Sequence, residues 1–198
     1  MRRWWMSAVL ASAVGLGCSA EGEQPSDTDL SSQESASLKF MREEEKLARD
    51  VYSVVEHLDP SFVNVGASEQ THMDAILTLL DRYGLSDPAA GKPKGEFTDP
   101  ALQSIYNELA RRGVASQVAA LQVGVEIEEL DIRDIENAKN AMTHSDIQST
   151  YDSLLKGSRN HLRTFYGKLQ ASGGTYTPQY IDAATFAAIV GSARETGK

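Results

Sequence analysis

Four stretches of the chain repeat apolar residues every three or four positions, which places those residues on one face of a helix. The first two faces comprise Leu38, Met41, Glu45, Ala48, Tyr52 and Val55, and Glu69, His72, Ile76, Leu79 and Tyr83. The third and fourth comprise Leu121, Val125, Glu128, Ile132 and Ile135, and Ile147, Tyr151, Leu154, Ser158, His161 and Phe165. Acids, imidazoles or a serine interrupt each face at one or two positions.

Turn-forming residues separate these stretches. The residue before Pro60 is pushed out of helical geometry, and Gly84 is of the kind that follows a helix C-terminus. The expected bounds of the four long helices are about residues 35–58, 68–83, 114–138 and 144–170. A short inserted helix is expected to begin at Asp99-Pro100, and a C-terminal helix after Pro178. Since no stretch shows sustained alternation, the sequence predicts an all-α bundle.

Charged groups on the inward faces are the candidate chemistry of this chain. They are Glu45, Glu69, His72, Glu128 and His161. An unpaired ionised carboxylate in an apolar core is costly, so three acids near two imidazoles require a shared partner, and a metal ion is the simplest one. Glu69 and His72 lie three residues apart on one helical face, and Glu-x-x-His recurs in metal-binding four-helix bundles.

Two questions about these acids remain open: whether arginines rather than a metal neutralise them, and what completes a metal site. Arg42, Arg49, Arg159 or Arg163 could pair with them in a buried salt-bridge network, although these arginines do not lie on the inward faces. Three carboxylates leave two divalent ions with one positive charge, so water, hydroxide or a fourth acid must complete the site. Glu44, like Glu43, Glu126 and Glu129, is expected to be solvated, although Glu126 or Glu129 could turn inward as that acid. Tyr52 is a candidate neighbour of the metal.

The charge balance restricts the partners of the chain. It has 28 acidic and 19 basic residues and a formal net charge of -9. An acidic chain without a basic stripe is not expected to bind nucleic acid or an anionic membrane surface. The expected partners are metal ions, with dioxygen or peroxide as candidate substrates. The sequence leaves open whether copies associate into a homo-oligomer.

The N-terminal segment predicts export from a bacterial cytoplasm. Residues 1–18 comprise a charged start, an apolar run and small residues, and the last four, GLGC, resemble a lipobox in which Cys18 would be lipidated. Residues 19–37 are polar and predict a disordered tether, whereas residues 38–198 have the length of one domain. We expect a lipoprotein of the cell envelope that meets the membrane through its lipid, with a periplasmic or secreted protein as the alternative.

Four segments resemble the DUF2202 group of the ferritin-like superfamily. They are MREEEKLARDVY at 41–52, SEQTHMDA at 68–75, VGVEIEELDI at 123–132 and GSRNHLR at 157–163. The first two are also similar to the metal-ligand helices of rubrerythrins. The resemblance implies a ferritin-like bundle with a carboxylate-bridged di-iron or related site, and its relatives range from iron oxidation to peroxide reduction and oxygenation.

One departure from that pattern affects the metal count. A symmetric site would have a glutamate three residues before His161, and this chain has Ser158 there. A dinuclear iron site and a site for one metal therefore both remain open, with manganese or zinc as alternatives to iron. Two functions follow: an oxidoreductase in which dioxygen or peroxide reacts at the metal, or a non-catalytic envelope module that binds or senses metal. The chain has no Cys-x-x-Cys motif, so a redox cycle would need an outside electron donor.

Overall fold

The computed structural model describes residues 29–197, and these residues contain six helices and no strand. The helices are α1 (Ser32–Val55), α2 (Ser61–Arg82), α3 (Pro100–Gly113), α4 (Gln117–Lys139), α5 (Ser145–Ala171) and α6 (Ala183–Gly191). This architecture confirms the expected all-α bundle of four long and two shorter helices. The predicted export signal, the lipidation site at Cys18 and residues 19–28 of the predicted tether lie outside the described residues.

The four long helices form two pairs. α1 packs along α2 and α4 along α5, with a short connection inside each pair. The pairs close on each other through contacts of α2 with α5 and of α1 with α4. α3 packs against α1 and α4, whereas α6 packs against α5. The inward faces of all four long helices therefore meet in one core.

The start of α1 corrects the predicted tether boundary, because residues 32–37 are helical. Ser31 caps the helix: its hydroxyl accepts from the Glu34 amide, and the Glu34 carboxylate accepts from the Ser31 amide. The other carboxylate oxygen of Glu34 accepts from the backbone amides of Thr143 and His144. This end of α1 is thus attached to the connection between α4 and α5, and a polar composition did not prevent a helix.

Two other helix starts differ from the prediction. α2 begins at Ser61 rather than near Ser68, because the Asp59 carboxylate accepts from the Ser61 amide and hydroxyl directly after the connection. α6 begins at Ala183, where Asp182 accepts from two backbone amides, and not at Pro178. The start of α3 agrees with its prediction, since Asp99 caps the helix and Pro100 is its first residue.

The connection between α2 and α3 covers a second face of α1. The Lys46 ammonium binds Asp50 and the Pro93 carbonyl, and it lies 4.5 Å from the centre of the Phe97 ring. The Glu43 carboxylate accepts from the Thr98 and Asp99 amides. Because of this cover, α1 buries polar residues as well as its apolar face.

An aromatic cluster fills the core below the acids. The rings of Tyr52, Phe62 and Phe165 have centroids 4.9–5.7 Å apart. Gly124 of α4 faces Phe165, and a Cβ at this position would lie 2.9 Å from the ring. The glycine therefore permits the close approach of α4 and α5. Within the described part of the chain, no helix is both long enough and apolar enough to cross a membrane.

Candidate metal centre

Each of the four long helices supplies at least one residue to a buried cluster of acids and imidazoles. α1 contributes Glu45, α2 contributes Glu69 and His72, α4 contributes Glu128, and α5 contributes His161. The structure thus brings together all five residues that the sequence singled out. They form two groups of three, in each of which the ligand atoms lie within 4.8 Å of one another, and both groups contain Glu69.

The two carboxylate oxygens of Glu69 face different histidines. Oε2 lies 2.8 Å from Nδ1 of His72, and Oε1 lies 2.8 Å from Nδ1 of His161. The same nitrogen of His72 is 3.2 Å from Glu45, and that of His161 is 3.4 Å from Glu128. Glu69 therefore joins the two groups through one oxygen each.

Most of these close approaches are not hydrogen bonds. Both oxygens of Glu69, one oxygen of Glu128 and Nδ1 of His161 are buried without a hydrogen-bond partner. Only the contact of His72 with Glu45 has hydrogen-bond geometry. Buried polar atoms are normally satisfied, because leaving one without a partner costs about 1–3 kcal/mol. Donor atoms that converge without bonding one another are the arrangement expected of ligands around a shared cation.

Groups behind the cluster orient its ligands. Nε2 of His161 lies 3.0 Å from the Ser68 hydroxyl, so a proton on Nε2 leaves Nδ1 free to bind metal. The Tyr52 hydroxyl donates to Oε1 of Glu128 at 2.5 Å, and this fixes which oxygen of Glu128 faces His161. Metal ligands in proteins are usually held by such outer hydrogen bonds.

The backbone of α5 limits the position of the His72 ring. Gly157 lies against this ring, and a Cβ there would come within 2.5 Å of Nε2. The His72 and His161 rings stack with centroids 5.6 Å apart and an angle of 26°. Gly157 therefore leaves room for the His72 ring in the position that turns its Nδ1 toward Glu69.

Burial, and the attraction between the acids and the histidines, shift the pKa values of the cluster residues. Burial raises the pKa of Glu45 and of Glu128 to about 7, although the neighbouring histidines oppose the shift. Burial also acts to raise the pKa of Glu69, but the charges of His161 and His72 outweigh it and hold this pKa well below its ordinary value. Burial lowers the pKa of His161, yet Glu69 and Glu128 raise it to about 10. The two histidines thus favour the ionised form of Glu69.

The structure does not support the alternative of an arginine network. The four arginines considered for it have other partners: Arg42 binds Asp87, Arg49 binds Asp50, and Arg159 and Arg163 bind Glu195. None of the ion pairs that these arginines form within residues 29–197 includes a member of the cluster. Two imidazoles are therefore the cationic partners of its three acids.

Comparison with known proteins identifies the family. Residues 34–193 match the family described as an uncharacterized protein domain, DUF2202. The chain belongs to the DUF2202 family. It is 44% identical over 170 residues to uncharacterized protein MJ0754 of Methanocaldococcus jannaschii, which covers 85% of this chain and 92% of that protein.

A solved structure has the same fold as this DUF2202 chain. The crystal structure of hypothetical protein MJ0754 from Methanococcus jannaschii DSM 2661 matches with a TM-score of 0.82 and 43% identity, over 84% of this chain and 97% of that one. Neither name states an activity.

The two acids of the DUF2202 chain that could have turned inward lie outside the cluster. Glu126 is paired with Arg112 on the other side of α4. Glu129 accepts four hydrogen bonds from residues that follow α5: Tyr176, Gln179, Tyr180 and Ile181. Both acids are buried rather than solvated, and both already have hydrogen-bond partners, so neither supplies the fourth carboxylate.

Ser158 is fully buried, and its hydroxyl donates to the Leu154 carbonyl.

Sequence reasoning missed two buried acids beside the cluster. Glu44 of α1 and Asp131 of α4 are 2% and 1% exposed, and none of their four carboxylate oxygens has a hydrogen-bond partner. Burial raises the pKa of both well above the ordinary range, and neighbouring acids add to the shift. The spacing of Asp131, three residues after Glu128, was the available signal that the two share a helical face.

Proposed function

We propose that the DUF2202 chain is a ferritin-like protein that holds two metal ions, with iron as the metal, and oxidises ferrous iron with dioxygen or peroxide. The bundle supports the ferritin-like assignment because four helices contribute ligands and α2 contributes them as Glu-x-x-His. The observation that carries the proposal is the position of Glu69. Its two oxygens each face a different imidazole at 2.8 Å without bonding it.

The donor set favours iron or manganese over softer metals. Each group of three offers two carboxylates and one imidazole, and no thiolate is present in the cluster. Carboxylates and imidazoles suit iron, manganese and zinc, whereas thiolates select copper(I) or iron–sulfur clusters. Zinc is the competing occupant, because it also accepts imidazole and carboxylate ligands.

The number of ligands supports a reactive site rather than a closed one. Each group provides three residues, and Ser158 adds none, so coordination positions remain for water or a small substrate. Structural metal sites are usually saturated by four protein ligands, whereas catalytic sites keep a position open. Two ferrous ions supply two electrons, which with two protons reduce dioxygen to hydrogen peroxide or hydrogen peroxide to two waters.

In this proposal the protein side chains bind and orient the metal ions and do not themselves react. Glu69 would contribute an oxygen to each of the two positions, while Glu45 and Glu128 would each serve one. The Tyr52 hydroxyl keeps one oxygen of Glu128 turned away from His161, and the aromatic cluster below it excludes bulk water from that side. Such prior orientation of ligands is what a metal site requires of its scaffold.

Oxygen consumption tests the proposal. Anaerobic protein loaded with ferrous iron should consume dioxygen or peroxide on mixing, and the His161→Ala variant should lose most of this activity because one position loses its imidazole. Glu129→Gln is the matched control, since it alters a buried residue of the same bundle that binds elsewhere. Protein that holds two irons but consumes neither oxidant would refute the oxidase and leave a metal-binding module.

A further inference from the structure

The two groups of three that share Glu69 differ in the support that the rest of the protein gives their ligands. In one group the Tyr52 hydroxyl donates to Oε1 of Glu128 at 2.5 Å. In the same group Nε2 of His161 lies 3.0 Å from the Ser68 hydroxyl. Both ligands particular to this group, which is called here the Glu128/His161 position, are therefore held from outside the cluster. Such outer hydrogen bonds fix the orientation of metal ligands.

The ligands particular to the other group, the Glu45/His72 position, have no such support. Within residues 29–197, their side chains hydrogen-bond each other and no group outside the cluster. Nε2 of His72 faces Gly157, which has no side chain to hydrogen-bond it. The His72 side chain is also the most exposed of the five ligands, at 11%. This position is therefore the less firmly held of the two.

The contacts within the cluster also differ between the two positions. Nδ1 of His72 hydrogen-bonds Glu45 at 3.2 Å, so an ion that binds there has to take the place of that bond. Nδ1 of His161 is buried without a hydrogen-bond partner, and the carboxylate oxygens that face it lie 2.8 and 3.4 Å away. The Glu128/His161 position is thus preformed for a cation, whereas the Glu45/His72 position must first lose a hydrogen bond.

We propose that the two metal positions are unequal: the Glu128/His161 position binds first and more tightly, and the Glu45/His72 position binds second and releases its ion first. Ligands that are already held in place lose less freedom on binding, which raises affinity. The ion that enters last and leaves first is then the one beside the most exposed ligand. The inference rests on the two metal positions of the proposed function, but not on oxidation.

Tyr52 and Ser68 are the positioning residues, because each hydrogen-bonds a ligand rather than the metal. Loss of an outer hydrogen bond of this kind typically lowers metal affinity about 10–100-fold. The loss should be confined to the Glu128/His161 position, since neither hydroxyl bonds a ligand of the other position. A purely structural contribution of Tyr52 to the aromatic cluster would instead affect both positions alike.

The experiment isolates each position, because two neighbouring cations repel each other and would bind unequally in any case. His72→Ala leaves only the Glu128/His161 position complete, and His161→Ala leaves only the Glu45/His72 position complete. Each full-length variant is titrated with ferrous iron without oxygen, and free iron is measured by equilibrium dialysis. We expect His72→Ala to bind its ion at least tenfold more tightly than His161→Ala. Equal affinities, or the reverse order, would overturn the proposal.

Tyr52→Phe is then added to each of the two variants. It should weaken binding about 10–100-fold in His72→Ala and leave binding in His161→Ala unchanged. Tyr151→Phe is the matched control, since it removes the hydroxyl of another buried tyrosine of the core, which bonds Ser37 and no ligand. It should change neither affinity. An equal effect of Tyr52→Phe on both variants would mean that it acts through the core, and would overturn the proposal.

Crystals of the wild-type protein cover the case in which a variant does not fold. Grown without oxygen and with less than one equivalent of ferrous iron per chain, they should show an anomalous peak at the iron edge between Glu128 and His161. A peak of equal or greater height between Glu45 and His72 would overturn the proposal. Oxygen consumption plays no part in either measurement, so the oxidase can fail while the order of binding stands, and equal positions would leave the oxidase intact.

Discussion

Glu69 is the residue on which the candidate metal centre depends most. It is fully buried, and it is the one member that both ligand groups share. His72 and His161 reach it from two different helices. Loss of its charge would therefore affect both positions, whereas loss of Glu45 or Glu128 would affect one.

Replacing Glu69 with glutamine should abolish stabilisation by metal. Metal that binds only the folded protein stabilises it by about 2.7 kcal/mol when its free concentration is a hundred times the dissociation constant. For a domain of this size that corresponds to a rise of roughly 5–10 °C in melting temperature. Melting curves with metal and with chelator should differ by this amount in the wild type and coincide in Glu69→Gln. Coincident curves for the wild type would contradict the account.

Glu45 and Glu128 should make metal-free protein less stable as pH rises. Glu45 and Glu128 have a pKa of about 7 when folded and near 4.5 when unfolded, so between these values the folded state binds more protons. Their contribution to stability is complete below pH 4.5 and is lost as pH rises through about 7. The chelated Glu45→Gln variant should show a weaker decline in melting temperature between pH 5 and 7.5 than chelated wild type. A decline of the same size would assign it to other groups.

At the level of helices, α5 sets the geometry of the site through a glycine. Alanine is favoured over glycine inside a helix by about 1 kcal/mol. In Gly157→Ala, however, the added methyl would lie 2.5 Å from Nε2 of His72 and would move the ring. We expect metal affinity to fall tenfold or more, measured by titration, while the melting temperature of chelated protein falls little or not at all.

The control lies on the same helix. Gly167 is exposed, and a Cβ there would meet nothing within 4 Å. Gly167→Ala should raise the melting temperature slightly and leave metal affinity unchanged. If both substitutions left affinity unchanged, the close approach of α5 to His72 would have no role in binding.

The sequence predicted the existence of the helices better than their starts. Apolar residues at every third or fourth position marked all four long helices, because one face of each packs in the core. The start of α1 was missed because its first turns are polar and are held by the Ser31 and Glu34 cap rather than by apolar contacts. The start of α6 was missed because the segment after Pro178 is tied to Glu129 through backbone amides.

At the scale of the whole molecule, the same reasoning found all five cluster residues and missed two buried acids beside them. The spacing of apolar residues along a helix identifies the side that faces the core. All five cluster residues lie on that side of their helices. Glu44 and Asp131 were not counted on that side, although they follow Met41 and Glu128 by three residues and are buried. Glu43 and Glu129 are buried on other sides, under the connection before α3 and the segment after α5. Such cover comes from distant parts of the chain and has no local pattern.

Counting ferrous iron per chain tests the central claim most directly. Metal-free protein is titrated anaerobically with ferrous iron, and bound iron is measured after gel filtration. We expect two irons per chain in the wild type, one in His161→Ala, and none retained in Glu69→Gln. A wild-type chain that retains one iron or none would contradict a dinuclear site built on Glu69.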